Sequence, residues 1–218
     1  MGTQIEKIFE ILNDWRLLPN YQLERRADIF FALYLPEIIK QKFDIEITYD
    51  NIIPEFPLRK GTVSEKEKDS RSRNLSYKVD YTVITATKVF FIELKTDTNS
   101  IRNSQIEYLI DSQKANWKTL IDGILDIVKA SKSTKYNHLL KKLREDHKCI
   151  DENNQNIAEN KPIEPIKIVY ILPQEDELLK EKEIPMITFA EVIEAIKGNK
   201  DELTRHFVES LNKWQNQI

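Results

Sequence analysis

The chain has 218 residues, 40% apolar and 32% charged, a balance that suits a globular protein and excludes a fibrous or disordered one. Cys149 is the only cysteine, which excludes an internal disulfide or a cysteine-rich zinc site and favours a reducing, cytoplasmic setting. The net charge of -3 is unevenly spread: residues 59–78 hold seven bases against three acids, 129–148 seven against two, and 151–218 eight against fourteen. A basic surface beside an acidic tail is one form a phosphate-binding face takes, although ordinary solvated charge reads the same way.

Residues 5–12 carry apolar side chains at 5, 8, 9, 11 and 12, the spacing of a short amphipathic helix. This stretch lacks the apolar core of a signal peptide, and no run approaches the roughly 20 apolar residues needed to cross a bilayer. A turn at Pro19-Asn20 leads into a longer helical pattern over 21–43, which Pro36 is expected to kink or divide. Residues 45–48 and 52–58 read as strands, and the polar, basic stretch 59–74 as a mobile loop. Residues 76–86 and 88–96 are the clearest strands, rich in Val, Ile, Thr, Tyr and Phe, with a link short enough for a hairpin.

One strong helix is expected over 104–128 and a basic amphipathic one over 135–147. The Asn- and Glu-rich stretch 149–165 reads as a surface loop. Residues 166–172 form a buried strand stopped by Pro173, 185–189 a further short strand, and helices follow near 190–197 and 200–216. No repeat or linker divides the chain. A single domain over 1–218 is expected, with a core at about 21–172 and a helical extension at about 185–218.

The sharpest feature is Lys78-Val79-Asp80-Tyr81-Thr82, then Phe91-Ile92-Glu93-Leu94-Lys95. Alternation along a strand puts Phe91, Glu93 and Lys95 on one face and Ile92 and Leu94 on the other. Apolar residues on both faces imply a strand covered on both sides. A carboxylate and an ammonium are costly there unless paired or bound to a metal. Across a hairpin Asp80 approaches Glu93, and two such carboxylates repel unless a cation lies between them. Hard oxygen ligands suit Mg²⁺ or Mn²⁺.

Spelling alone carries no weight, since acid-x-Lys also occurs at Asp146-His147-Lys148 and Glu159-Asn160-Lys161. Only Glu93-Leu94-Lys95 closes an apolar strand that follows a strand bearing an acid. A buried ion pair without chemistry is the alternative.

Asp80, twelve intervening residues and Glu93-Leu94-Lys95 resemble the catalytic motif of the PD-(D/E)XK nuclease superfamily, with Val79 where that motif usually has proline. The resemblance implies an α/β fold with a restriction-endonuclease-like core: helix, three antiparallel strands, helix, parallel strand, with extra C-terminal helices. It implies that Asp80 and Glu93 hold Mg²⁺ or Mn²⁺ with help from the Leu94 carbonyl, and that Lys95 orients the attacking water or stabilises the phosphate. The superfamily often adds an acid from its first helix, and Glu24 is the candidate, with Asp28 and Glu37 as further options. Gln105, three residues before Tyr108, is the candidate supporting residue on the helix after the motif, while Asp97 and Ser100 read as caps. Glu55, an acid inside an apolar strand, either supports the metal or pairs with Arg59.

The reading that follows is a Mg²⁺-dependent phosphodiester hydrolase acting on nucleic acid, DNA before RNA. Arg59, Lys60, Arg71 and Arg73 of the basic loop and Lys141 and Lys142 of the basic helix are the expected phosphate contacts. A catalytically silent module that keeps the fold and binds nucleic acid or protein is the alternative. A protein-interaction role for the acidic C-terminal helices and a homodimer also stay open. Four glycines leave no Walker loop or dinucleotide fingerprint, and His138, His147 and His206 lack metal-ligand spacing and read as surface residues.

Overall fold

The computed structural model describes residues 2–131, 134–151 and 165–216. Helices α1 (Gln4–Trp15) and α2 (Leu23–Phe43) are followed by strand β1 (Ile52–Arg59) and the single turn α3 (Lys60–Val63). Strands β2 (Ser76–Ile84) and β3 (Val89–Leu94) lead to helices α4 (Asn103–Lys114), α5 (Trp117–Ser131) and α6 (Asn137–Glu145). Strand β4 (Lys167–Leu172), helix α7 (Glu177–Glu181), strand β5 (Met186–Thr188) and helices α8 (Phe189–Ile196) and α9 (Glu202–Gln215) complete the order. The protein is mixed α/β, with a five-stranded mixed sheet in the order β1-β2-β3-β4-β5. The pairs β1–β2 and β2–β3 are antiparallel and β4–β5 is parallel.

By its contacts the chain divides into two units. The first comprises Met1–Tyr49, Leu94–Ile101 and Val169–Ile218, and the second comprises Asp50–Glu93 and Arg102–Ile168. The first unit is built on helices whose apolar stripes meet in an aromatic cluster. Phe207 of α9 lies 5.2 Å from Phe31 and 5.5 Å from Tyr34, ring centre to ring centre. Two polar ties fix this packing: the Tyr34 and Thr204 hydroxyls meet at 2.7 Å, and Trp214 Nε1 donates to Asn13 Oδ1 at 2.8 Å. Buried Tyr and Trp need such partners.

In the second unit α5 lies against β1, with Trp117 stacked on Phe56 at 5.6 Å. Phe56 is wholly buried, and such burial contributes about 1.5–3 kcal/mol. Gly123 permits the close approach, since a Cβ there would stand 2.6 Å from Thr62 Oγ1 and 3.2 Å from the Arg59 Cβ. Strand β1 ends one side of the sheet order, which is why it tolerates Pro54 and Pro57, residues with no N–H to give a ladder.

Several elements depart from expectation. Residues 45–48 form no strand, and a 3-10 turn at Tyr49–Asn51 precedes β1 instead. Pro36 does not divide α2, which runs through it for 21 residues. The stretch 59–74 begins as α3, fastened by Lys60 N–H to Leu75 O at 2.8 Å and Gly61 N–H to Arg73 O at 2.9 Å. The single helix expected over 104–128 is two, because Asn116 turns its side chain onto Thr119 N–H at 2.9 Å and starts α5 afresh. Helix α7 was not foreseen.

His147 and His206 are buried rather than superficial, at 3% and 7% exposure. The His206 ring stacks on Phe9 at 6.1 Å and stands between Glu202 and Glu209. The expected loop at 149–165 lies largely outside the described residues, which stop at 151 and resume at 165; Cys149 itself is buried.

Candidate functional site

Strand β3 is buried along its whole length, and the register of β2 on β3 runs Thr82 to Phe91 and Tyr81 to Ile92. Asp80 and Glu93 each lie one residue beyond the last of these pairs; the same register carried one step on would oppose them, and directly opposed residues in an antiparallel pair point to the same face. Glu93 is 0% exposed and Asp80 half-buried. Gln105, in the first turn of α4, donates its Nε2 to Glu93 Oε2 at 2.5 Å. Tyr108, one turn on, donates its hydroxyl to Lys78 O at 3.2 Å and stacks on Tyr77 at 4.2 Å. Burial first, and then the charge of Glu93, push the Tyr108 phenol well above its ordinary range, so it is a donor at any working pH.

Leu94 and Lys95 follow Glu93 directly in the chain and belong to the first unit. The Lys95 N–H donates to Ile171 O at 2.8 Å, which fixes the backbone where the side chain departs. Lys95 is 5% exposed, its ammonium donating to Leu94 O at 2.9 Å and standing 3.4 Å from Glu24 Oε1 on α2. The carbonyl expected at a metal thus accepts from Lys95 here. Asp28 and Glu37 are exposed. Asp97 takes Asn99 N–H at 2.8 Å and closes the short turn before α4.

Glu55 and Lys78 make an ion pair at 2.8 Å, so Glu55 is joined to Lys78 rather than to Arg59. Glu55 also adopts φ 50°, a left-handed conformation that costs a non-glycine residue about 1–2 kcal/mol. The β1–β2 register pairs Pro54 with Tyr81 and Phe56 with Val79, and the break between them falls opposite Asp80. Backbone strain of this kind concentrates at functional sites.

Arg59 is mostly buried and held by Asp126 at 3.3 Å and by Asn74 at 3.0 Å. The Lys60 ammonium lies 4.9 Å over the Tyr77 ring, and Arg71 and Arg73 are exposed. Lys141 and Lys142 make intrahelical pairs with Glu145 at 3.8 Å and Asp146 at 3.4 Å. Lys78 was read in the sequence as part of the strand bearing Asp80 but was given no role, although its place two residues before Asp80 put it on the same strand face.

Among the described residues no group of three or more His, Cys, Asp or Glu is arranged to hold a metal ion, and no helix is long and apolar enough to cross a membrane. Set against protein-family models, curated proteins and solved structures, the chain matches none of them.

Proposed function

We propose that this protein is a Mg²⁺- or Mn²⁺-dependent phosphodiester hydrolase acting on nucleic acid, DNA before RNA, on a restriction-endonuclease-like core of PD-(D/E)XK type. The observation that supports the reading is Glu93, a carboxylate at 0% exposure on a strand paired with the one that bears Asp80. Burying one charge beside another of the same sign is unfavourable unless a cation is the intended companion. Two carboxylates are a sufficient donor set for Mg²⁺, which takes one or two and keeps water on its other positions. The Leu94 carbonyl joins them only when the Lys95 ammonium turns away from it.

A bound divalent ion would lower the pKa of a coordinated water and neutralise charge gathering on a phosphate. Gln105 fixes the orientation of Glu93 through its hydrogen bond. Glu24 holds the Lys95 ammonium, whose charge serves the phosphate or the attacking water. The silent-module alternative draws support from the same ammonium, already engaged by Leu94 O and Glu24.

The test is incubation of the purified chain with labelled single- and double-stranded DNA and RNA in Mg²⁺, Mn²⁺ or EDTA, beside Asp80→Asn and Lys95→Ala. Cleavage that needs the metal and disappears in both variants is expected. Identical behaviour of wild type and variants, with no Mg²⁺ binding by calorimetry, would remove the nuclease reading.

A further inference from the structure

A cleft of about 480 Å³ opens within the second unit, lined by the β1–β2 ribbon and by α6 with the turn before it. Pro54, Pro57 and Leu139 supply flat apolar contact, Tyr136 an aromatic ring, and Lys78 and Lys142 positive charge. The Lys135 ammonium lies 4.9 Å over the Tyr136 ring, so charge and aromatic face are presented together. Three lysines line the cleft with the carboxylate of Glu55; Lys142 also has Asp146 at 3.4 Å, a partly exposed pair that a phosphate can compete with.

Apolar walls, an aromatic ring and cations are together complementary to a base carried on a phosphate. Size decides between the forms that such a ligand can take. The volume corresponds to a space roughly 8 Å across, whereas the major groove of a duplex is itself about 12 Å wide. A space of that size matches one unpaired nucleotide better than a duplex.

We infer that this cleft takes one nucleotide of a single-stranded nucleic acid, its base against Tyr136 and the prolines and its phosphate at Lys78 and Lys142. The inference rests on the nucleic-acid reading above and narrows it to an unpaired strand. Lys78 stands two residues before Asp80 on one strand face, about 7 Å away and roughly one nucleotide step. A strand seated in the cleft therefore runs toward the carboxylate pair. Glu55 occupies Lys78 meanwhile, but both side chains are more than half exposed, at 60% and 57%. Exposed pairs of this kind are weak, and a phosphate can displace the carboxylate.

The experiment is fluorescence anisotropy of the full chain in EDTA, which stops cleavage, with a labelled oligo-dT strand and a blunt duplex, and with dTMP as competitor. Expected are tenfold or tighter preference for the single strand and displacement of that strand by excess dTMP. Tyr136→Ala should weaken strand binding by about tenfold, the loss of one base stack. Lys142→Ala should lower the salt slope by about 0.7. Glu55→Gln, which frees Lys78, should tighten binding.

Equal affinity for strand and duplex, or unchanged binding in Tyr136→Ala and Lys142→Ala with wild-type circular dichroism, overturns the inference. So does binding of dTMP without binding of the strand. The two readings fail separately. Strand binding with no cleavage in Mg²⁺ removes the nuclease alone, and cleavage with a cleft indifferent to these changes removes the cleft alone.

Discussion

One oxygen of the Glu93 carboxylate accepts from Gln105 at 2.5 Å, inside a strand with no solvent exposure. Gln105→Leu deletes a hydrogen bond to a charged group, and urea unfolding should show a loss of about 1.5–3 kcal/mol. On the proposed reading, Mg²⁺ binds the native state alone. It should therefore raise the melting temperature of the wild type in proportion to the logarithm of its concentration, and leave Asp80→Asn unmoved. A calorimetric scan with and without EDTA reads this directly.

Asp80, Glu93 and Lys95 were legible as residues because charge inside apolar β-sequence is conspicuous. Glu55 was legible as an oddity but its partner was not. The pairing with Lys78 depends on a cross-strand register, and the left-handed turn of the backbone leaves no mark on neighbouring residue types.

Individual elements are held by short-range devices that the chain spells out and by close approaches that it does not. Helix α9 begins at Asp201, whose carboxylate takes the Thr204 hydroxyl at 2.6 Å and the Thr204 N–H at 2.9 Å. Those bonds, the hydroxyl first, hold its pKa below the ordinary carboxylate value. A group depressed in the folded state contributes above its unfolded pKa and loses that contribution as pH falls through the folded one. Asp201→Asn should thus flatten the loss of stability below about pH 4, measured by acid titration of the circular dichroism signal. Asp201→Ala should cost about 1 kcal/mol at neutral pH.

Gly123 belongs to the second kind. Valine there would meet Thr62 and Arg59, and overpacking of about 1–3 kcal/mol should outweigh the fraction of a kcal/mol that valine gains over glycine as a helix former. The division of α4 from α5 was spelled out by Asn116 and Thr119 and was missed, because apolar spacing on both sides masked the cap.

Across the whole molecule, charge is segregated. The second unit carries 20 bases against 17 acids and the first 13 against 19, so the basic surplus falls with Asp80, Glu93 and the cleft. Polyanion binding there should weaken linearly in the logarithm of salt. Removing Lys60, Arg71 and Arg73 together should shrink the slope by roughly 0.7–0.9 for each phosphate no longer neutralised. An unchanged slope would place the bound phosphates elsewhere.

Strand and helix types along most of the chain, the hairpin and its charged residues followed from apolar periodicity alone, since burial demands that pattern wherever an element is covered. Folding decided the rest. Strand pairing set the strand bearing Asp80 beside the one bearing Glu93, an ion pair joined Glu55 to Lys78, and the fold placed Tyr136 in one cleft with Pro54, residues 82 positions apart. Periodicity reports which face of an element is covered, but not which distant element covers it.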